Sequence, residues 1–243
     1  MTISVALAAY QGQRFIAEQL DSILPQLGPH DEVIVSDDLP GGPTEEMVRA
    51  YAKRDARVKY FAGPGKGVIR NFDAAIRRCS GDVIFLSDQD DVWLPHKVQR
   101  VMAALEGGAD LVLHDATVTD GALQVTQPSF FAAHGSRPGY FHNVLKNSYM
   151  GCCMAFKKEL LPYLLPIPQN VPMHDQYIGL QAERYGTVCF LKEPLILYRV
   201  HGGNVTGRAT ALSEKICWRL QILKATGCGF PGKRKNTGSQ AKS

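Results

Sequence analysis

Within its first 115 residues the chain alternates five short apolar runs with stretches of helical periodicity, and that alternation leaves few folds open. Residues 3–9 read Ile-Ser-Val-Ala-Leu-Ala-Ala, a nearly continuous apolar run of the kind found in strands buried on both faces. Gly12 breaks it, and Phe15, Ile16, Leu20, Ile23 and Leu24 then recur at helical spacing up to Pro25. Further strands are predicted at 33–36, 58–61, 83–86 and 111–113. Three more helical patterns lie between them. Thr44, followed by Glu45 and Glu46, reads as the N-cap of a helix reaching about Ala52. Val68, Phe72, Ala75, Ile76 and Cys79 make one face of the next, and Pro95 starts a helix carrying Val98, Val101, Met102 and Leu105. This alternation implies a Rossmann-like, doubly wound α/β fold: a central, mostly parallel sheet flanked by helices. Ligands of such sheets bind beyond the carboxyl ends of the strands.

From Thr117 to Asn147 the periodicity fades and Gly, Pro, Ser, Phe and Tyr dominate, so a long irregular segment with a functional role is predicted there. Patterning returns at 150–156, with a short helix near 158–165, a helix after Asp175, and strands near 188–191 and 195–198. A last helix carries Ile216, Trp218, Leu220 and Leu223 beside Lys215, Arg219 and Lys224. That mixture favours packing on the core over resting on an anionic membrane surface. The Gly/Ser-rich end with Lys233, Arg234, Lys235 and Lys242 is predicted not to pack.

Bulk properties exclude several classes. A net charge of +4 over 243 residues is too mild to mark a nucleic-acid-binding protein. No window approaches the roughly 20 apolar residues of a membrane span. The apolar run at 3–9 lacks the preceding basic segment of a signal peptide. The expected location is the cytoplasm, at most peripheral on the inner membrane. The six cysteines form no C-x-x-C pair, and no His cluster has zinc spacing, so buried, reduced thiols are expected.

Four constellations carry chemistry. Just past the fourth strand the chain reads Ser87-Asp88-Gln89-Asp90-Asp91-Val92-Trp93, with three carboxylates in four positions. They repel one another unless a cation compensates, and oxygen-rich clusters suit Mg²⁺ or Mn²⁺ bridging carboxylates to phosphates. The alternative is an acidic surface turn in which Asp91 caps the helix after Pro95. Ser36-Asp37-Asp38 ends the second strand, where a carboxylate can accept hydrogen bonds from a nucleotide or merely start a turn. Asp175 precedes a helix, as a general base or as its N-cap. In Tyr198-Arg199-Val200-His201-Gly202-Gly203-Asn204 the glycines permit a tight loop, and Arg199 or His201 can reach a diphosphate or a metal, or His201 can be structural.

Taken in order over residues 3–207, Ala8-Ala9-Tyr10, Ser36-Asp37-Asp38, the 88–93 motif, His174-Asp175 and the 198–204 motif resemble family 2 glycosyltransferases. The similarity is greatest to the rhamnosyltransferase-like branch that builds bacterial O-antigen and capsule. The resemblance implies an A-type glycosyltransferase fold and a metal-dependent, inverting transfer. The donor would be a UDP-, dTDP- or GDP-linked sugar such as rhamnose, galactose or glucose, and the acceptor a saccharide or lipid-linked hydroxyl. It places Tyr10 and Asp38 on base and ribose, with Ala8 lending backbone. Lys66, Arg70 and Asn71 fall near the donor. Asp88 and Asp90 match the D-x-D motif, with Asp90 the direct ligand of Mn²⁺ or Mg²⁺. Asp175 matches the catalytic base, and Gly151 and Cys152 face the acceptor. By this reading residues 1–115 form the nucleotide-sugar-binding half, 116–210 the acceptor and catalytic-base half of the same domain, and 211–243 a C-terminal helix and tail. One departure is plain: Asp38 is followed by Leu39-Pro40-Gly41-Gly42-Pro43 instead of the usual Gly-Ser. Two rivals are a sugar nucleotidyltransferase, disfavoured by the poor glycine content after the first strand, and a non-catalytic nucleotide-sugar-binding relative.

Overall fold

The computed structural model describes residues 1–202 and 212–227. Four parallel strands, β1 (Ile3–Ala9), β2 (Glu32–Asp37), β3 (Val58–Ala62) and β4 (Val83–Asp88), form one side of the sheet in the order β3-β2-β1-β4. Every residue of β1 and β2 is buried, as expected of strands covered on both faces. The remaining strands are β5 (Val92–Trp93), β6 (Leu111–Thr119), β7 (Val125–Gln127), β8 (Met154–Lys157) and β9 (Val188–Arg199). The sheet continues from β4 as β8-β6-β9-β5, with β7 pairing on β6. β8 runs antiparallel to both β4 and β6, whereas β6 and β9 are parallel.

The helices are α1 (Ile16–Ile23), α2 (Pro43–Arg54), α3 (Val68–Arg78), α4 (Lys97–Glu106), α5 (Phe130–His134), α6 (Tyr140–Leu145), α7 (Leu161–Leu164), α8 (His174–Tyr185) and α9 (Leu212–Thr226). From β1 the chain builds outward through β2 to β3, then returns to place β4 on the other side of β1. This reversal opens a crevice at the carboxyl ends of β1 and β4.

Several local expectations are corrected. α2 begins at Pro43 with Gly42 as N-cap, because proline's fixed φ suits the first helical position. Thr44 therefore lies inside the helix, its hydroxyl bonded to Gln13 Oε1 at 3.2 Å. α4 starts at Lys97, not Pro95, after the short strand β5 pairs with β9. Val68 is exposed and leaves the buried face of α3 to Phe72, Ala75 and Ile76. The stretch 117–147 is not irregular throughout: it holds the end of β6, β7, α5 and α6. The two late strands are one, since β9 runs through Pro194, its pairing with β6 shifting register near Asp115. Of the cysteines, Cys79, Cys152 and Cys153 are buried, but Cys217 is exposed on α9. The core-packing expected of α9 holds for one face only: Ile222 is fully buried, whereas Ile216 and Leu220 are exposed. No described helix is long and apolar enough to cross a membrane. Gly203, Asn204, Cys228 and the basic tail lie outside the described residues.

Candidate active site

A cavity of about 760 Å³ opens where the topology places the crevice. Ala8, Tyr10, Asp38, Asn71, Asp88 and Asp90 line it from the first half of the chain, and Asp175 lines it from the second. Ala8 and Asp88 are register partners at the ends of β1 and β4, so the strand pairing itself sets these two groups side by side. Tyr10 is 56% exposed and presents its ring to the opening.

The acidic motif is held by its neighbours. Gln89 accepts from Tyr10 N and donates to Tyr10 O, both at 2.8 Å, which ties the end of β1 to the motif. A Cβ on Gly12 would stand 2.1 Å from Gln89 Oε1, so only glycine allows this approach. From α1, Gln19 Nε2 donates to Ser87 Oγ at 2.7 Å and to Asp88 O at 3.1 Å. Asp91 does not cap α4. It is 1% exposed and accepts the Arg199 N–H at 3.1 Å through Oδ1, while Oδ2 has no partner.

Burial, then repulsion from Asp90 and Asp91, pushes Asp88 well above the ordinary carboxylate range. Burial and Asp90 likewise push Asp91 up to about 7. Beneath them Lys97 is fully buried, its Nζ 2.9 Å from Cys152 O and 4.1 Å from the Trp93 ring centroid. Burial lowers it to about 8, so it remains largely charged at neutral pH beside the carboxylates.

His201 and Arg199 divide the tasks first considered for them. His201 Nε2 lies 2.8 Å from Asp90 Oδ2, with the ring against Phe15 at 4.9 Å. The Arg199 guanidinium is committed to the scaffold and does not reach toward a diphosphate. It is 4% exposed, donates to Asp90 O and Gly121 O, pairs with Glu18 and covers the Phe15 ring.

Ligand chemistry separates two possible donor sets. Asp88, Asp91 and Cys152 offer atoms within 4.8 Å of one another. A hydrogen bond with Cys153 and burial raise the Cys152 thiol, leaving it protonated and a poor ligand for a hard cation. The Asp88 and Asp90 carboxylates, facing the cavity with His201 behind Asp90, are the set suited to Mg²⁺ or Mn²⁺.

Asp38 is treated differently. Its Oδ1 accepts from Gly65 N and its Oδ2 from Gly67 N, each at 2.7 Å. Both glycines have positive φ, 65° and 84°, which curls the loop around the carboxylate. The unusual 39–43 segment forms the turn into α2, with Leu39 N on Asp37 Oδ1 at 3.1 Å. Asn71 donates to Ala9 O at 3.1 Å and Ser36 O at 2.9 Å, stapling β1 to β2, and its Oδ1 has no partner. Lys66 and Arg70 lie outside the lining; Arg70 donates to Ile167 O at 3.3 Å.

Across the cavity Asp175 sits in the first turn of α8, whose N-cap is Met173. Its Oδ1 accepts Gln176 N at 2.6 Å, and the Gly151 N–H also points to it. Burial raises Asp175 to about 6, against these backbone donors. His174 stacks on Phe72 at 4.3 Å, and burial lowers it to about 4, so it is neutral. Its Nε2 is unpartnered, with Gly151 packed against it. Gly151, Cys152 and Asp175 thus share one wall. Gln89, Gln19 and Lys97 were missed by sequence reasoning. Only Gln89 carried a signal, its place between two acidic residues.

The chain resembles known proteins along most of its length. It is 23% identical to TuaG of Bacillus subtilis, named for teichuronic acid biosynthesis, over 93% of this chain and 92% of that protein. It is 25% identical to the dTDP-rhamnosyl transferase RfbG of Shigella flexneri, over 86% of this chain and 76% of that one. The crystal structure of S. aureus TarS in complex with UDP-GlcNAc superposes with a TM-score of 0.73 and 17% identity, covering 93% of this chain and 67% of that chain. That likeness shows the A-type glycosyltransferase fold. The family model described as Glycosyl transferase family 2 matches residues 4–164, which takes in the whole acidic motif and ends before Asp175. The chain therefore belongs to glycosyl transferase family 2.

Proposed function

We propose that the chain is an inverting, metal-dependent glycosyltransferase that moves a sugar from a nucleoside diphosphate to a hydroxyl of a saccharide or lipid-linked acceptor. One observation carries the reading: a single cavity has an under-compensated acidic motif on one wall and a lone carboxylate base, Asp175, on the other. Residues 1–115 would hold the donor and 116–210 the acceptor and base. The names of TuaG and RfbG support a role in bacterial surface polysaccharide synthesis and a donor such as dTDP-rhamnose.

Asp88 and Asp90 would hold Mn²⁺ or Mg²⁺, with His201 completing or orienting the Asp90 side. The cation supplies charge neutralisation on the diphosphate as it leaves. Tyr10 offers its exposed ring to the base, and the end of β1 at Ala8 offers backbone. Asp38 acts chiefly by holding the Gly65–Gly67 loop against the donor pocket. Asp175 takes the proton of the acceptor hydroxyl. The acceptor oxygen bonds to the anomeric carbon as the carbon–phosphate-oxygen bond breaks, and the nucleoside diphosphate leaves on the opposite face. A single base facing the donor fits one displacement and hence inversion. Neutral His174, its Nε2 buried beside Gly151, keeps added positive charge away from the base.

Incubating the protein with Mn²⁺ and dTDP-rhamnose, UDP-glucose, UDP-galactose or a GDP-sugar, with mass-spectrometric detection of released nucleoside diphosphate, tests this. Turnover of one donor, abolished by EDTA and restored by Mn²⁺, is expected. Donor binding without any turnover, in the presence of saccharide and lipid-linked acceptors, would instead favour the non-catalytic relative.

A further inference from the structure

Two of the helices that pack on α8, α6 and α9, carry an apolar face that the fold leaves bare. Phe141 and Leu145 are 63% and 64% exposed on α6; Ile216 and Leu220 are 50% and 63% exposed on α9. Each pair is spaced i, i+4 and so lies on one face of its helix. The helices lie side by side and antiparallel: Arg219 Nη2 donates to Leu145 O at 3.0 Å, and Tyr140 Oη meets Thr226 Oγ1 at 2.6 Å. The opposite side of α9 is anchored, with Ile222 and Thr226 buried.

Charge identifies the occupant. Lys215 and Lys224 are exposed on α9 and Arg137 and Lys146 flank α6, with Arg219 between the helices. In sequence, residues 215–243 hold seven Lys and Arg and no Asp or Glu, which leaves residues 1–214 at net −3. A bare apolar strip edged by cations matches the boundary between headgroups and acyl chains of an anionic bilayer. A second copy would bring two such basic edges together, an unfavourable pairing.

We propose that the α6–α9 face docks on an anionic phospholipid surface. Gln176 Nε2, next to Asp175, donates to Asn143 O of α6 at 2.7 Å, so the docking helices are one layer from the acceptor wall of the cavity. Docking would then hold that wall near acceptors embedded in the same bilayer; this orientation, unlike the docking itself, rests on the proposed transfer reaction.

The test is co-sedimentation of the full chain with vesicles of phosphatidylcholine, with and without phosphatidylglycerol. Binding is expected only with phosphatidylglycerol, and should weaken as salt is raised. Lys215→Ser with Lys224→Ser should lower vesicle affinity about thirtyfold, at about fivefold per basic side chain. Leu145→Ser with Leu220→Ser should lower it about tenfold or more. All four side chains are exposed, so melting temperature and donor turnover in solution should be unchanged. Equal binding to neutral vesicles, no binding at all, or undiminished binding in both variants would overturn the proposal. So would a concentration-dependent dimer dispersed by the leucine variant, which would assign the face to a second copy. Because vesicle binding is read without transfer, it can stand or fall apart from the catalytic reading.

Discussion

Two groups of acidic residues end β2 and β4, the strands on either side of β1, and the protein treats them oppositely. After β2, the chain completes the charge itself. Asp38 is cradled by the Gly65 and Gly67 N–H groups, and Asp37, though buried and raised, accepts from Leu39 N and the Tyr60 hydroxyl. After β4, Asp88, Asp90 and Asp91 crowd together, Asp88 and Asp91 are pushed upward, and one Asp91 oxygen has no partner. Lys97 lies close but donates to Cys152 O. Carboxylates that a fold completes shape the pocket; carboxylates that it leaves short of positive charge are where a ligand brings that charge.

The contrast can be broken by substitution. Asp175→Asn should lower transfer about 10²- to 10⁴-fold while donor binding, followed by nucleotide displacement, stays nearly unchanged. Equal loss of both would remove Asp175 from the role of base. Asp90→Asn should lower transfer about 10²- to 10³-fold and, unlike Asp175→Asn, remove the thermal stabilisation given by Mn²⁺ with UDP. Asp38→Ala should behave in the opposite way. It removes two charge-assisted hydrogen bonds, to the solvent-reachable N–H groups of Gly65 and Gly67, and costs about 1–3 kcal/mol of stability in denaturant titration, yet leaves the Mn²⁺ response in place.

The smallest expected effect comes from pH. Asp175 is charged only above about 6, so transfer should fall about tenfold per unit below that pH. Its folded value lies above the ordinary carboxylate value of 3.8 that holds in the unfolded chain, so the folded chain holds this proton more tightly than the unfolded chain does. The contribution to stability is therefore present in acid and lost as pH rises through about 6. Asp175→Asn should accordingly raise the unfolding free energy at pH 8 by about 1–3 kcal/mol and leave it unchanged near pH 4, as urea titrations at the two pH values would reveal.

The same contrast marks what could be read from sequence. β1, β2 and β4 were legible because a strand buried on both faces writes a local apolar run, and the acidic motif was legible because three carboxylates at one strand end are conspicuous. The cradle around Asp38 was not. It depends on Gly65 and Gly67, distant in sequence and brought near by the β2–β3 pairing. The insertion of β8 between β4 and β6 was hidden for the same reason, since strand order is set by long-range pairing. α5 and α6 are too short, at five and six residues, to show a helical period. The buried role of Lys97 was masked by its type, because lysine in sequence signals a solvated surface.

Cation binding measured by isothermal titration calorimetry with Mn²⁺ in the presence of UDP tests the central claim most directly. One Mn²⁺ per chain is expected for the wild type and for Asp38→Asn, with binding lost in Asp90→Asn. Manganese binding that survives Asp90→Asn unchanged, or that disappears in Asp38→Asn alone, would contradict the account.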